Sequence, residues 1–161
     1  MLFHSYKGFS GAAARTLYTA VVLAGQQGCS AADTGHLLLA MLQTAQGPAA
    51  DFLRRKRVTE SALRSCVQAR SCTGQPHCLR KNDLAPETRK TMEFAVLGAH
   101  AASVAKAENE HLLCAMLEDS ACTASVWLAS LGIEVPQAAR ECRQLSGQMV
   151  LPTQPRMATS R

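Results

Sequence analysis

An all-helical fold, an eight-helix pseudo-twofold duplication of a four-helix repeat, is what this sequence predicts, and three observations predict it. The stretch His36-Leu37-Leu38-Leu39-Ala40-Met41-Leu42 returns as His111-Leu112-Leu113-Cys114-Ala115-Met116-Leu117, 75 residues further on. The register holds without a gap, because Thr16, Ala20, Val21 and Ala24 fall on Thr91, Ala95, Val96 and Ala99, and Phe52-Leu53 falls on Trp127-Leu128. Self-similarity of this kind means one supersecondary unit used twice, each copy burying the other's apolar face. Composition agrees: 47% of residues are hydrophobic but only 4% aromatic, and a pool dominated by Ala and Leu favours helices over strands. Finally, the apolar positions recur at offsets of three and four, the period of a helix face.

The elements follow in order. From Gly11 to about Gly28, Ala13, Leu17, Ala20, Val21 and Ala24 line one face of a first helix. Thr34 stands where an N-cap belongs, and the run from Leu37 to Leu42 is apolar nearly all round, as in a helix buried within a bundle. A turn at Gln46-Gly47-Pro48 leads to a short third helix, Ala49 to Lys56, with Phe52 and Leu53 inward; Thr59 then caps a fourth through Leu63, Cys66 and Val67. The stretch from Ser71 to Cys78 contains Gly and Pro and lacks periodicity, so it connects the copies. Pro86 and Glu87 open the second copy in a favourable first turn, Asn109 corresponds to the Thr34 cap, and helices over 112–117, 126–128 and 136–145 complete it. The predicted domain covers 3–145, with repeats at 9–70 and 84–145, and 146–161 reads as a flexible tail.

At 161 residues the chain suits one domain that needs no disulfide staple. Its formal charge of +5 is scattered, apart from Arg54-Arg55-Lys56-Arg57 and Arg80-Lys81. A nucleic-acid binder shows a sharper basic stripe with aromatics for stacking, and four cations beyond an apolar helix suit a solvated C-terminal end, with an acidic partner as the alternative. Seven cysteines, an odd number, with Cys66, Cys114 and Cys142 inside apolar patterns, read as small core residues in a reducing compartment. With neither a signal-peptide core nor an apolar run of membrane-spanning length, the expected location is the cytoplasm.

Phe9-Ser10 before the first helix, Asn109-Glu110-His111-Leu112-Leu113 at the start of the second central helix, and Leu131-Gly132-Ile133 after the seventh helix resemble the N-terminal domain of the Clp/Hsp100 ATPases, the ClpA and ClpC type in particular. The resemblance extends over roughly residues 3–145. It implies a non-catalytic module that docks adaptors and substrates and modulates ATP-dependent proteolysis or unfolding. The partners implied are a Clp ATPase, a Clp protease ring, or substrate and adaptor proteins, with no cofactor, nucleic acid or membrane. No Gly-x-x-x-x-Gly-Lys-Ser/Thr loop occurs in the sequence to cradle nucleotide phosphates.

In ClpC-type members, the same resemblance implies, a glutamate at each central-helix start and a threonine before helix one of each repeat bind phosphorylated arginine. A carboxylate pairs with guanidinium, and helix N-termini attract phosphate. Here Glu110 keeps the second glutamate and Gly35 replaces the first, while Ser10 keeps a hydroxyl and Ala85 loses one. Paired within repeats, one site lacks its carboxylate and the other its hydroxyl. Read alone, Glu110 is a first-turn carboxylate stabilising its own helix. The recurring His36 and His111 suit a structural role in the first turn of each central helix, where an imidazole can hydrogen-bond a neighbouring loop. Cys72, His77 and Cys78 offer zinc-type donors without the paired spacing of a structural site, and no nucleophile has a recognisable base. Two other readings remain at the sequence level: a small-ligand or phosphoarginine sensor using the groove between repeats, and a remnant of a longer unfoldase gene.

Overall fold

The computed structural model describes residues 6–44, 46–70, 72 and 74–147. Eight helices follow in order: α1 (Gly11–Gln26), α2 (Thr34–Thr44), α3 (Pro48–Arg55), α4 (Glu60–Gln68), α5 (Pro86–Ala101), α6 (Asn109–Glu118), α7 (Thr123–Ser130) and α8 (Val135–Leu145). No strand occurs among the described residues, and no single helix there is long and apolar enough to cross a membrane.

The duplication shows in two isolated parallel bridges, Phe9 with Ala107 and Ala32 with Leu84. They are one contact made twice, since Leu84 and Ala107 lie 75 residues after Phe9 and Ala32. In the first, Ser10 N–H donates to Ala107 O at 3.0 Å and Ala107 N–H to Gly8 O at 2.8 Å; in the second, Ala85 N–H donates to Ala32 O at 2.8 Å and Ala32 N–H to Asp83 O at 2.9 Å. Each repeat's entry to its first helix therefore lies against the other repeat's entry to its central helix. The central helices form the core: α2 packs on α1 and α4 and across the pseudo-twofold on α5 and α7, while α6 packs on α5 and α8 and across on α1 and α3. Leu37 to Leu42 and Leu112 to Leu117 are buried without exception, as helices packed on every side require.

The predicted caps are corrected by one residue. Asp33, not Thr34, precedes α2, and Glu108, not Asn109, caps α6. The bridges hold Ala32 and Ala107 extended, so the next residue is the first free to turn into a helix. The buried Thr34 hydroxyl is used elsewhere, accepting from Ala124 N–H at 2.9 Å where α7 begins. Thr59 caps α4 as expected, its hydroxyl accepting from Ala62 N–H at 3.1 Å.

Two further expectations change. Cys29 and Cys72 form a disulfide with Cα atoms 5.2 Å apart, so the cysteines are not all free thiols. The connection between repeats folds back on the end of α1, where His77 N–H donates to Gly25 O at 3.0 Å. Gly28 and Gly74 meet so closely that a Cβ on Gly28 would stand 1.9 Å from Gly74 O; this packing delivers Cys72 to Cys29. Cys114 and Cys142 are buried as predicted, and Cys66 is only half-buried. Ser146, assigned to the tail, is buried, its hydroxyl donating to Arg143 O at 3.1 Å. Residues 1–5 and the rest of the predicted tail, 148–161, lie outside the described residues.

Candidate functional site

The bridges decide which site residues meet. Ser10, the N-cap of α1, accepts from Ala13 N–H at 3.2 Å and donates to Glu108 Oε2 at 2.6 Å, so it belongs to the α6 start that carries Glu110. Ala85, the N-cap of α5, lies beside the α2 start that carries Gly35. The pairing within repeats is thereby corrected: the structure groups Ser10 with Glu110 and Ala85 with Gly35. At one end the two carried-over positions keep a hydroxyl and a carboxylate, and at the other both positions, Ala85 and Gly35, have lost them.

At the first end, Glu110 is half-buried in the first turn of α6, and its carboxylate makes no hydrogen bond or ion pair among the described residues. Two helix N-termini, those of α1 and α6, converge there, and their partial positive charge favours an anion.

At the second end the space is filled. A Cβ on Gly35 would lie 2.4 Å from the Trp127 ring and 3.0 Å from Asp33 Oδ1, so a glutamate at 35 would have to displace Trp127. The ring in turn carries Arg70, whose guanidinium lies 5.3 Å from the ring centroid, pairs with Asp33 and donates to Thr123 Oγ1 at 3.1 Å. Thr123 donates to Glu87 through its amide at 2.8 Å and its hydroxyl at 2.7 Å. Neither Arg70 nor Trp127 stands out in the sequence, because the residues they meet are distant along the chain.

The recurring histidines have the structural role expected of them. His36 Nδ1 accepts from Asp33 N–H at 3.3 Å, and His111 Nδ1 accepts from Glu108 N–H at 3.0 Å. Each ring thus satisfies an amide just before its own helix, and the accepting Nδ1 places the proton on Nε2. Burial pushes the His36 imidazole down to about 4 against the opposing charge of Glu87, and His111 is lowered for the same reason. His77 and Cys78 are exposed and Cys72 is committed to the disulfide; no metal-binding group of three donors forms among the described residues.

Beside α5 runs a mainly apolar groove of about 700 Å³, lined by Phe9, Leu84, Met92, Val96 and Leu97 together with the polar Lys7, Asn82, Arg89 and Glu93. Leu97 is 63% exposed and Phe94, on the same helix, 55%. The basic run ends α3 as a solvated helix end should: Arg54 pairs with Asp51 and Lys56 with Glu141 at 2.7 Å.

Residues 8–96 match the family model of the Clp repeat (R) N-terminal domain. Among solved structures, the chain is similar to the N-terminal domain of the caseinolytic protease associated chaperone ClpD from Arabidopsis thaliana, at 17% identity and a TM-score of 0.68, over 90% of this chain and 98% of that one. It is also similar to the Hsp104 N-terminal domain from Candida albicans, at 18% identity and a TM-score of 0.69, over 89% and 94%. At these identities the likeness is one of fold. A sequence search of the curated proteins finds no match.

Proposed function

The chain belongs to the family of Clp repeat N-terminal domains, and from that premise we propose that it is a non-catalytic docking module, presenting substrate or adaptor polypeptides to a Clp-type ATPase and so modulating ATP-dependent proteolysis or unfolding. The observation that carries this reading is the α5 groove, lined in part by the exposed Leu97, with Phe94 exposed on the same helix outside it. An open apolar channel with large side chains in solvent is the kind of surface that a partner polypeptide covers. In affinity capture from the native cell, the wild-type protein is expected to retain a Clp-type ATPase or its protease ring, identified by mass spectrometry, and Leu97→Asp to lose it while keeping its helix content. Capture without any such component, or undiminished in the variant, would count against the reading.

A second reading, phosphoarginine recognition, is favoured by the Ser10–Glu110 end. The carboxylate of Glu110 has no partner among the described residues and suits a guanidinium, while a phosphate beside it would take the α1 and α6 N-termini only by displacing the Glu108 side chain that caps α6 and accepts from Ser10. Losing a charge-assisted bond of this type costs about 1.5–3 kcal/mol, so Glu110→Ala is expected to weaken phosphoarginine binding about ten- to hundredfold. Titration calorimetry checks it; unchanged affinity in the variant would place any such ligand elsewhere. Adding Gly35→Glu would not rebuild the second site, because Trp127 stands in its way.

A further inference from the structure

Arg70 occupies a cradle with three walls: the Asp33 carboxylate, the Thr123 hydroxyl oxygen and the face of Trp127. A carboxylate for charge, an acceptor for the in-plane N–H groups and a π face for stacking together form a guanidinium-binding set. The fold does not need it. In the other repeat the equivalent positions hold Leu145 for Arg70, Phe52 for Trp127 and Pro48 for Thr123, so the same architecture stands there without an arginine or its hydroxyl acceptor.

Arg70 is also the member of the cluster that stands at the junction between α4 and the connection, its backbone N–H donating to Val67 O at 3.2 Å. It follows the end of α4 and precedes Cys72 by two residues, and Cys72 ties that segment to Cys29. Its side chain is 34% exposed while that of Asp33 is 9% exposed; the plug reaches the surface and the wall behind it does not.

We propose that this cradle is an arginine-binding site closed in cis: Arg70 fills it while the Cys29–Cys72 disulfide holds the connection down, and reduction of the disulfide lets an arginine side chain of a partner polypeptide take its place. The proposal deepens the docking reading and rests on it for the partner.

The reductant required is a dithiol. Its thiolate attacks Sγ of Cys72, the half-buried member of the pair, since Cys29 is only 7% exposed. The S–S bond breaks, and its electron pair goes to Cys29 Sγ. That sulfur faces His36 Nε2 at 3.9 Å, whose proton can be shared with the forming thiolate because Nδ1 is engaged by the Asp33 amide. The second thiolate of the reductant then attacks its own sulfur in the mixed disulfide and releases Cys72. Two electrons and two protons pass from the dithiol to the protein, leaving two cysteine thiols and the oxidised reductant.

A tethered plug competes at an effective concentration in the millimolar range, so a trans arginine is expected to bind poorly until the tether loosens. Trp127 is the sole tryptophan of the chain, and its fluorescence reports the cradle directly. Titration with the peptide Gly-Arg-Gly should show weak binding to the oxidised protein and about tenfold or tighter binding after reduction. Arg70→Ala should bind the peptide in both redox states, and Gly-Lys-Gly should not substitute. Cys72→Ser, which opens the tether without touching the cradle, should behave like the reduced wild type. If neither variant prefers arginine over lysine, or if reduction leaves the affinity of the wild type unchanged, the proposal is overturned. Retention of the Clp-type partner by an Arg70→Ala protein that binds no arginine would sink this inference alone and leave the docking reading standing.

Discussion

Replacing Leu113 by Ala, or Leu38 by Ala in the other repeat, is expected to lower unfolding stability by about 2–5 kcal/mol. Both side chains are fully buried, on helices that neighbours enclose from both repeats, so the surroundings cannot collapse into the space without moving several helices at once. The loss has two parts, the transfer free energy of the deleted methyl groups and the cavity that remains. Urea unfolding at neutral pH measures it. A change below 1 kcal/mol in both variants would mean that α2 and α6 are not the centre of the core.

A loss of about 3 kcal/mol is expected when the pH falls from 7 to 4, traceable to His36 alone. Its imidazole titrates near 6.5 when free and near 4 in the folded protein, chiefly because burial disfavours the charged ring, with Glu87 opposing. The folded pKa is the lower of the two, so between pH 6.5 and 4 the unfolded chain binds the extra proton. The contribution is therefore complete above about 6.5, shrinks as the pH drops through the window, and is gone near 4; the gap corresponds to about 3 kcal/mol. Other groups also titrate in this range, and the variant His36→Gln isolates the ring. The stability difference between wild type and variant should shrink by about 3 kcal/mol between pH 7 and pH 4, and a difference that stays constant would show that His36 is not held neutral.

Much of the molecule was legible from residue order. The repeat is a property of the string itself, and the runs from Leu37 and Leu112 admit no environment but a buried one. That the histidines are structural was also readable, but not their partner: each ring accepts from an amide at its own helix's entry, three residues away, and not from a neighbouring loop. Caps were legible only to within one residue. Asp33 and Thr34 are both competent by type, and the bridge of Ala32 to a segment more than fifty residues away chooses between them.

Long-range pairing lay beyond the sequence. Seven cysteines do not reveal that Cys29 and Cys72 meet, because their approach depends on the connection packing against the end of α1 through Gly28 and Gly74. The grouping of Ser10 with Glu110 and of Ala85 with Gly35 runs against the natural expectation that each repeat builds its own site. It is decided where two entry segments exchange hydrogen bonds across the pseudo-twofold. What the sequence determined by itself is whatever one helix can specify: its period, its buried face and the polar groups within one turn of its end. The tertiary structure alone decided the contents of the two sites, one with the Glu110 carboxylate unpaired among the described residues and the other filled by Trp127 and Arg70, because those contents come from different helices whose meeting depends on packing and not on spacing.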